Sequence, residues 1–447
     1  MQNEISKPPK NQEHYFYGRE KYSNSIGSAA VGLSMMSRST AEPKPNLLFI
    51  LTDQHRRDGV GCYGKKGIIT PNLDRLASDG MRFDRAYAAQ PVCAPNRGTI
   101  FSGLYPHNHG VLENTWDIDP EIPLFPDFLK AVGYRCAYFG KWHLGDPSRD
   151  AWETMPTYPR DGRGQGHYYT IGEKKVYQTD VLAQDAIDFI RKEDARPFCA
   201  YVSYYPPHPP YSVPEKYEAL YQKLYPEDEK RRKYYAMCTA IDDAVGDLLK
   251  TLDDSGIAEN TLVIFTSEHG HLFDHRWNNH SKRLCYDTVA RIPLLMRFPS
   301  AISSGKIDES LISSVDLIPT ILGLLGYVVS EGLDGIDLSD SIRQGGKTGR
   351  EALVIVNTPF IDKKGEGPNQ PELDKGEERC VVSGDWKLIL STVRKPELYH
   401  LPSDSGERQN RWQEMASSET VANLKTHLQA WANKTRDKLA PILLAKI

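Results

Sequence analysis

The sequence predicts an α/β fold: a large, mostly parallel sheet flanked by helices, followed by a smaller C-terminal α+β subdomain with antiparallel strands. Three observations predict it. Short continuous apolar runs recur, as in Asn46-Leu47-Leu48-Phe49-Ile50-Leu51 and Thr261-Leu262-Val263-Ile264-Phe265-Thr266, the pattern of strands buried on both faces. Helical spacings alternate with them, the clearest being Tyr234, Met237, Ile241, Val245, Leu248 and Leu252. Such alternation indicates parallel strands covered by helices on both sides. After about residue 340 the texture turns polar and turn-rich, through Gly345-Gly346-Lys347 and the run 363–378.

The elements follow in order. Thr70 stands as N-cap and Pro71 at the first turn of a helix whose apolar face is Leu73, Leu76 and Ala77, with Gly80 ending it. Pro95 suits the first turn of a second helix, running through Thr99, Ile100 and Phe101 to Gly103. Residues 134–138 read as a strand, 180–190 as a helix and 198–202 as the next strand. Residues 381–390 and 398–401 read as short antiparallel strands, and a last helix spans roughly 420–438. The expected division is a tail over 1–44, a catalytic domain over 45–340 and a C-terminal subdomain over 341–447.

Composition narrows the function classes. Hydrophobic residues make up 39% of the 447 positions, enough for a sizeable core. Lys and Arg number 55 against 59 Asp and Glu, so no basic domain offers itself to nucleic acid. Seven cysteines are scattered without a C-x-x-C pair, against a zinc ribbon or a disulfide scaffold, and the odd count leaves at least one without an intramolecular partner. No apolar run is long enough to span a bilayer. The stretch 25–36, followed by Ser39-Thr40-Ala41, resembles the core and cleavage site of an export signal, although no arginine pair precedes it. A periplasmic or secreted location is the expectation, with a cytoplasmic one as the alternative.

Chemistry-bearing residues collect just after the strands. Asp53-Gln54 and Glu268-His269 each follow a buried strand, where α/β sheets place ligands. Their three oxygen donors and one nitrogen favour Ca2+, with Mg2+ also possible, over zinc. A basic group comprises Lys141 and His143 in Gly140-Lys141-Trp142-His143-Leu144-Gly145, His208 in Pro206-Pro207-His208-Pro209-Pro210-Tyr211, and Lys282. Cys93 opens Cys93-Ala94-Pro95-Asn96-Arg97-Gly98-Thr99 at a helix start, where partial positive charge favours anions and acidifies a thiol.

These motifs together resemble the type I sulfatases of the alkaline-phosphatase-like superfamily. Cys93-x-Pro95-x-Arg97 is similar to the signature at which a formylglycine-generating enzyme oxidises the cysteine to an aldehyde. It is accompanied in the family's order by Ser102-Gly103-Leu104-Tyr105-Pro106-His107, Gly140–Gly145, His208, Glu268-His269-Gly270 and Lys282-x-x-x-Tyr286-Asp287. Trp386-Lys387-Leu388 and Glu397-Leu398-Tyr399 extend the likeness, which covers roughly residues 45 to 410. Two positions depart from it: the family usually has an acidic residue where Gln54 stands, and Asp where Glu268 stands.

The resemblance implies a divalent cation held by Asp53, Gln54, Glu268, His269 and residue 93. It implies Lys141 and Lys282 neutralising sulfate, His208 or Lys282 protonating the leaving alcohol, His143 as base or anchor, and Arg97 holding the hydrated aldehyde. The competing readings are a phosphonate monoester or phosphodiester hydrolase of the same superfamily, and a non-catalytic metal-stabilised binding protein. Tyrosine pairs at 168–169, 204–205 and 234–235, with the expected export, point to a sulfated saccharide. His107, His109, Asn114, Arg163, His167 and His275 are the candidate substrate contacts. No oligomeric state is legible.

Overall fold

The computed structural model describes residues 33–35, 43–146, 151–156, 166–273, 282–329, 332–346, 349–358 and 376–447. Arg163, His275 and most of the signal-like stretch lie outside them. The central sheet is built from β1 (Asn46–Thr52), β2 (Met81–Tyr87), β3 (Arg135–Gly140), β4 (Phe198–Tyr204), β5 (Thr261–Ser267), β6 (Leu294–Arg297) and β7 (Lys306–Ser313). Their spatial order is β7-β2-β6-β5-β1-β4-β3, and Arg291–Ile292 adds a short pairing to β2. Only β6 and that short pairing run against the rest. The sheet is therefore mostly parallel, as expected.

β1 shows why. Leu47, Phe49 and Leu51 enter one apolar core, while Leu48 and Ile50 enter the other. A strand with apolar side chains on both faces must lie mid-sheet between two helical layers, since each exposed Leu, Ile or Phe forfeits ~1.5–3 kcal/mol. One layer contains α1 (Pro71–Ser78), α4 (Gln178–Arg191) and α5 (Glu229–Asp254); the other contains α2 (Cys93–Ser102), α3 (Phe125–Ala131) and α6 (Leu317–Leu324).

The C-terminal part is a four-stranded antiparallel sheet: β8 (Ala352–Asn357), β9 (Glu378–Ser383), β10 (Trp386–Ser391) and β11 (Glu397–His400), in sequence order. Helix α7 (Glu419–Thr435) packs on it through Val421, Leu424 and Leu428. The same cluster includes Ala89, Tyr105 and Val315, so the two sheets share packing rather than a mere linker. Among the described residues, no helix is long and apolar enough to cross a membrane.

One local expectation needs correction. Thr70 occupies the N-cap position of α1, but its hydroxyl accepts from Gly61 N–H at 2.7 Å and donates to Asp74 at 3.2 Å. The first amides of α1 are instead satisfied by Asp242 of α5, which accepts from Asn72 N–H at 3.1 Å and Leu73 N–H at 2.7 Å. A carboxyl delivered by packing displaced the local hydroxyl, because its two oxygens accept from two orphaned helix amides at once.

Burial raises the Asp242 carboxyl from near 3.8 to about 7 against the opposing pull of these amides. Protonation is thus favoured in the fold. As pH rises above the unfolded value, the unfolded chain ionises first and stability falls until the folded group ionises. Asp242→Asn removes this component. The stability difference between Asp242→Asn and the unsubstituted protein should move toward the variant between pH ~4 and ~7 and level off above. Urea melts across that range check this, and a pH-independent difference would contradict it. Asp242→Ala also loses this titration, so its cost should be largest below pH ~4, where unpaired buried amides account for about 1–3 kcal/mol, and should shrink toward pH ~7.

Candidate active site

Four adjacent parallel strands, β5-β1-β4-β3, end on one rim of the sheet, and their carboxyl ends carry the site. Asp53 and Gln54 follow β1, Glu268 and His269 follow β5, Lys141 and His143 follow β3, and His208 follows β4. The backbone ladder continues past the strands: Asp53 N–H donates to Tyr204 O at 3.2 Å, and Lys141 N–H to Ser203 O at 3.0 Å. Gln54 and His143 have left-handed φ angles of 67° and 64°. Non-glycine residues keep such angles only where the surroundings hold them, and this strain collects at functional sites.

Helix α2 aims its N-terminus at the same rim. Cys93 is its first residue and Gly103 its left-handed C-cap, as expected, and all ten helical residues are buried. A wholly buried helix must satisfy its polar side chains internally. Asn96 donates to Glu268 O and accepts from Ser314 Oγ at 2.6 Å, Thr99 pairs with His109 Nε2 at 3.2 Å, and Ser102 donates to Gly98 O at 2.7 Å. Gly98 is required because a Cβ there would lie 2.6 Å from the His109 ring.

Around Cys93 Sγ lie Lys282 Nζ at 2.7 Å, His269 Nε2 at 3.2 Å and Asp53 Oδ1 at 3.5 Å. Lys141 Nζ bonds Asp53 Oδ2 and stands 3.6 Å from Glu268 Oε1. Arg97 pairs through Nε with Glu268 Oε2, and through Nη1 it donates to Lys141 O and Ser203 Oγ, both at 2.8 Å. Burial and Asp53 both push the Cys93 thiol up, yet Lys141, Lys282 and His269 hold it well below its ordinary value. Burial also opposes ionisation of Asp53, but Lys141 and the other cations keep it well below the usual carboxylate range. Glu268 goes the other way: burial raises it despite Arg97, and Asp53 and Cys93 add to the rise. Two carboxylates in one dry pocket cannot ionise equally.

The donor set fits a hard divalent cation. Asp53, Cys93, Glu268 and His269 offer ligand atoms all within 4.8 Å of one another. His269 gives its Nδ1–H to Gly270 O at 2.7 Å, which leaves the Nε2 lone pair facing the cluster. The Gln54 amide is buried, and neither its oxygen nor its nitrogen has a hydrogen-bond partner among the described residues. An orphaned buried amide on the residue next to Asp53 suits a ligand oxygen.

Burial pushes His143 down to about 4 and His208 to about 3, so both are neutral near pH 7. His208 directs Nδ1 to Pro209 O at 2.7 Å. Its ring meets Tyr205 edge-on at 4.7 Å, and Lys141 Nζ lies over the same tyrosine at 4.7 Å.

Tyr205, of one of the tyrosine pairs that suited sugar rings or the core alike, is buried under Lys141 and His208. Tyr234 is likewise buried, donating from its hydroxyl to Gln54 O at 2.7 Å. Tyr138 and Ser203, which hold Arg97 and the Lys141 carbonyl, carried no motif. Their position at or near strand ends was the available signal.

Of the proposed substrate contacts, His107 is not brought to the pocket. It is buried between Tyr105 and Trp431, with Nε2 on Thr435 O at 3.0 Å, because α7 covers it. His109 is held behind α2. His167 is buried with Nε2 on His208 O at 2.8 Å, so it supports the His208 loop. Asn114 is half-buried at the start of α2, its Oδ1 accepting from Ala94 N–H at 3.0 Å.

Residues 45–327 match the Sulfatase family and residues 273–434 match the N-sulphoglucosamine sulphohydrolase C-terminal family. An ulvan-active sulfatase of Formosa agariphila is 33% identical over 364 residues, covering 73% of this chain and 70% of that one. A protein solved in complex with its substrate D-glucosamine-2-N,6-O-disulfate superposes with a TM-score of 0.74 at 22% identity, over 88% of this chain and 99% of its own. The phosphonate monoester hydrolase of Agrobacterium radiobacter superposes equally well, with a TM-score of 0.74 at 23% identity, over 88% and 96%. At those identities the two structures establish a shared fold alone. The sequence matches go further, and with a cysteine held among cations at the strand-end rim they place this chain in the sulfatase family, as a sulfuric ester hydrolase.

Proposed function

We propose that the chain hydrolyses a sulfate ester of a carbohydrate at residue 93, after Cys93 has been converted to formylglycine. The observation that carries this is the placement of Cys93 Sγ 2.7 Å from Lys282 Nζ at the start of a buried helix, beside an ionised Asp53. The names of the relatives, one active on ulvan and one bound to a sulfated glucosamine, support a saccharide substrate.

As formylglycine, residue 93 supplies a hydrated aldehyde, with one hydroxyl to attack sulfur and a second to release sulfate. Asp53, Gln54, Glu268 and His269 would hold Ca2+, or Mg2+, which when bound adds positive charge against a sulfate oxygen. The chain's own groups do the rest. Lys141 and Lys282 neutralise charge that grows on the sulfate oxygens, and in a water-poor pocket that is worth far more than in water. Arg97, fixed by Glu268 and Ser203, holds the floor beneath residue 93. His208 keeps its Nδ1 on Pro209, so Nε2 is the atom that passes a proton to the leaving oxygen; a bound sulfate raises its proton affinity. His143 lies against residue 93 and serves as its base or anchor.

Cys93 is only 1% exposed, so a formylglycine-generating enzyme must reach it before the chain folds. The signal-like stretch 25–36 supports export to the periplasm or beyond. Asn114 remains the one described candidate near the pocket that could face substrate.

Three outcomes are expected. In protein from its native host, mass spectrometry of the Cys93 peptide should find the aldehyde, and Cys93→Ala should lose at least ~10³-fold in kcat. A thiol alone would favour a binding protein, and full turnover by Cys93→Ala would sink the mechanism. Chelation should abolish turnover and Ca2+ restore it, with Gln54→Ala requiring more Ca2+ than the unsubstituted protein; a chelator-resistant rate would remove the metal from the reading. Side-by-side rates on a sulfated monosaccharide, an aryl sulfate and a phosphodiester should favour a sulfate ester. A faster phosphodiester would favour the phosphonate hydrolase reading.

A further inference from the structure

Lys282 reaches Cys93 from a stretch of chain that is fixed at the very next residue. Several contacts tether Arg283. Its guanidinium meets the Glu113 carboxylate fork to fork, Nη1 on Oε2 and Nη2 on Oε1, and both side chains are buried. Its N–H donates to Pro91 O at 3.3 Å, two residues before Cys93. Its carbonyl accepts from Asn357 Nδ2 at 2.8 Å, at the end of β8 in the C-terminal subdomain. Its backbone is left-handed, with φ of 76°, a conformation that an arginine keeps only where the surroundings impose it.

Glu113 ties this pair to the cysteine helix. Its Oε1 accepts from Asn114 N–H at 2.7 Å, and Asn114 Oδ1 accepts from Ala94 N–H at 3.0 Å. One buried ion pair therefore joins the chain that delivers Lys282 to the helix start that delivers residue 93. A lysine side chain is a flexible four-carbon stem, so the location of its Cα decides where the ammonium works. A bidentate carboxylate–guanidinium fork supplies direction as well as attraction.

We propose that Glu113 and Arg283 are the positioning pair of the reaction, holding Lys282 at its working distance from residue 93, with Asn357 extending that hold to the C-terminal subdomain. The inference rests on the reading that Lys282 acts on the sulfate ester at residue 93.

The test is a double-substitution cycle in the full chain, with 4-nitrophenyl sulfate as probe and rates normalised to aldehyde content at residue 93. Arg283→Gln should lower kcat by about 10²-fold, the usual consequence of a misplacement near 1 Å, with KM changed less than about 3-fold. Arg283→Lys should match it, because the charge survives but the fork does not. Lys282→Ala should lose at least as much. The double variant should be no worse than Lys282→Ala within about 3-fold, since a misplaced lysine and a missing one are the same defect.

Losses that multiply in the double variant would overturn the positioning role while leaving Lys282 its own. Unchanged turnover by Lys282→Ala would overturn the reading beneath it. Should thermal melts show Arg283→Gln unfolded, Asn357→Ala removes a single tether. Its expected loss of about 10-fold should vanish in the Lys282→Ala background, and persistence there would overturn the proposal.

Discussion

The ion pair between Asp53 and Lys141 is the contact on which the rest of the site depends. Both side chains are almost wholly buried, and either charge alone would cost several kcal/mol at that depth. They come from β1 and β3, with β4 lying between them. The pairing therefore demands one register across three strands. Thr52 stands opposite Tyr204 and Gly140 opposite Ser203, so Lys141 leaves β3 level with Thr52, one residue short of Asp53, and the two side chains meet just past the strand ends. A slip along either strand would part them and strand both charges.

The other charges are arranged around that pair. Arg97 rises from the helix α2 to meet Glu268, and Lys282 arrives from the far side to meet Cys93. Three cations and the start of a helix thus surround two carboxylates and a thiol. The balance explains why the thiol is held low and Asp53 stays ionised, while Glu268 is pushed toward protonation. The site is prepared for an anion: its donors are already desolvated and aimed, so binding sulfate requires little reorganisation. The additional methylene of Glu268 is consistent with its contact to Arg97, which a shorter carboxylate would reach less readily.

Much of this was legible before any coordinates. Apolar runs such as Leu47–Leu51 could only be strands buried on both faces, and the residues just after them had to lie at the sheet's ligand-binding rim. Pro95 and Gly103 marked the two ends of α2. The misreadings share a cause. Thr70 does stand at the N-cap position of α1, but Gly61 and Asp74 take its hydroxyl, and Asp242 reaches the helix amides from 170 residues away. His107 looked like a substrate contact because polar residues are common in pockets, and the tyrosine pair 204–205 suited a sugar ring or the core alike. Packing by α7 and by Lys141 made them interior instead.

The sequence by itself determined the class of fold, the motif around Cys93 and the set of donors at the strand ends, because each is carried by residue type and local spacing. Only the tertiary structure decided which cation faces which anion, that Gln54 keeps an unpaired buried amide, and that Glu113 and Arg283 connect Lys282 to the cysteine helix. The paired residues stand from 20 to 189 positions apart. These relations follow from strand register and buried charge pairing, which no local stretch of sequence encodes.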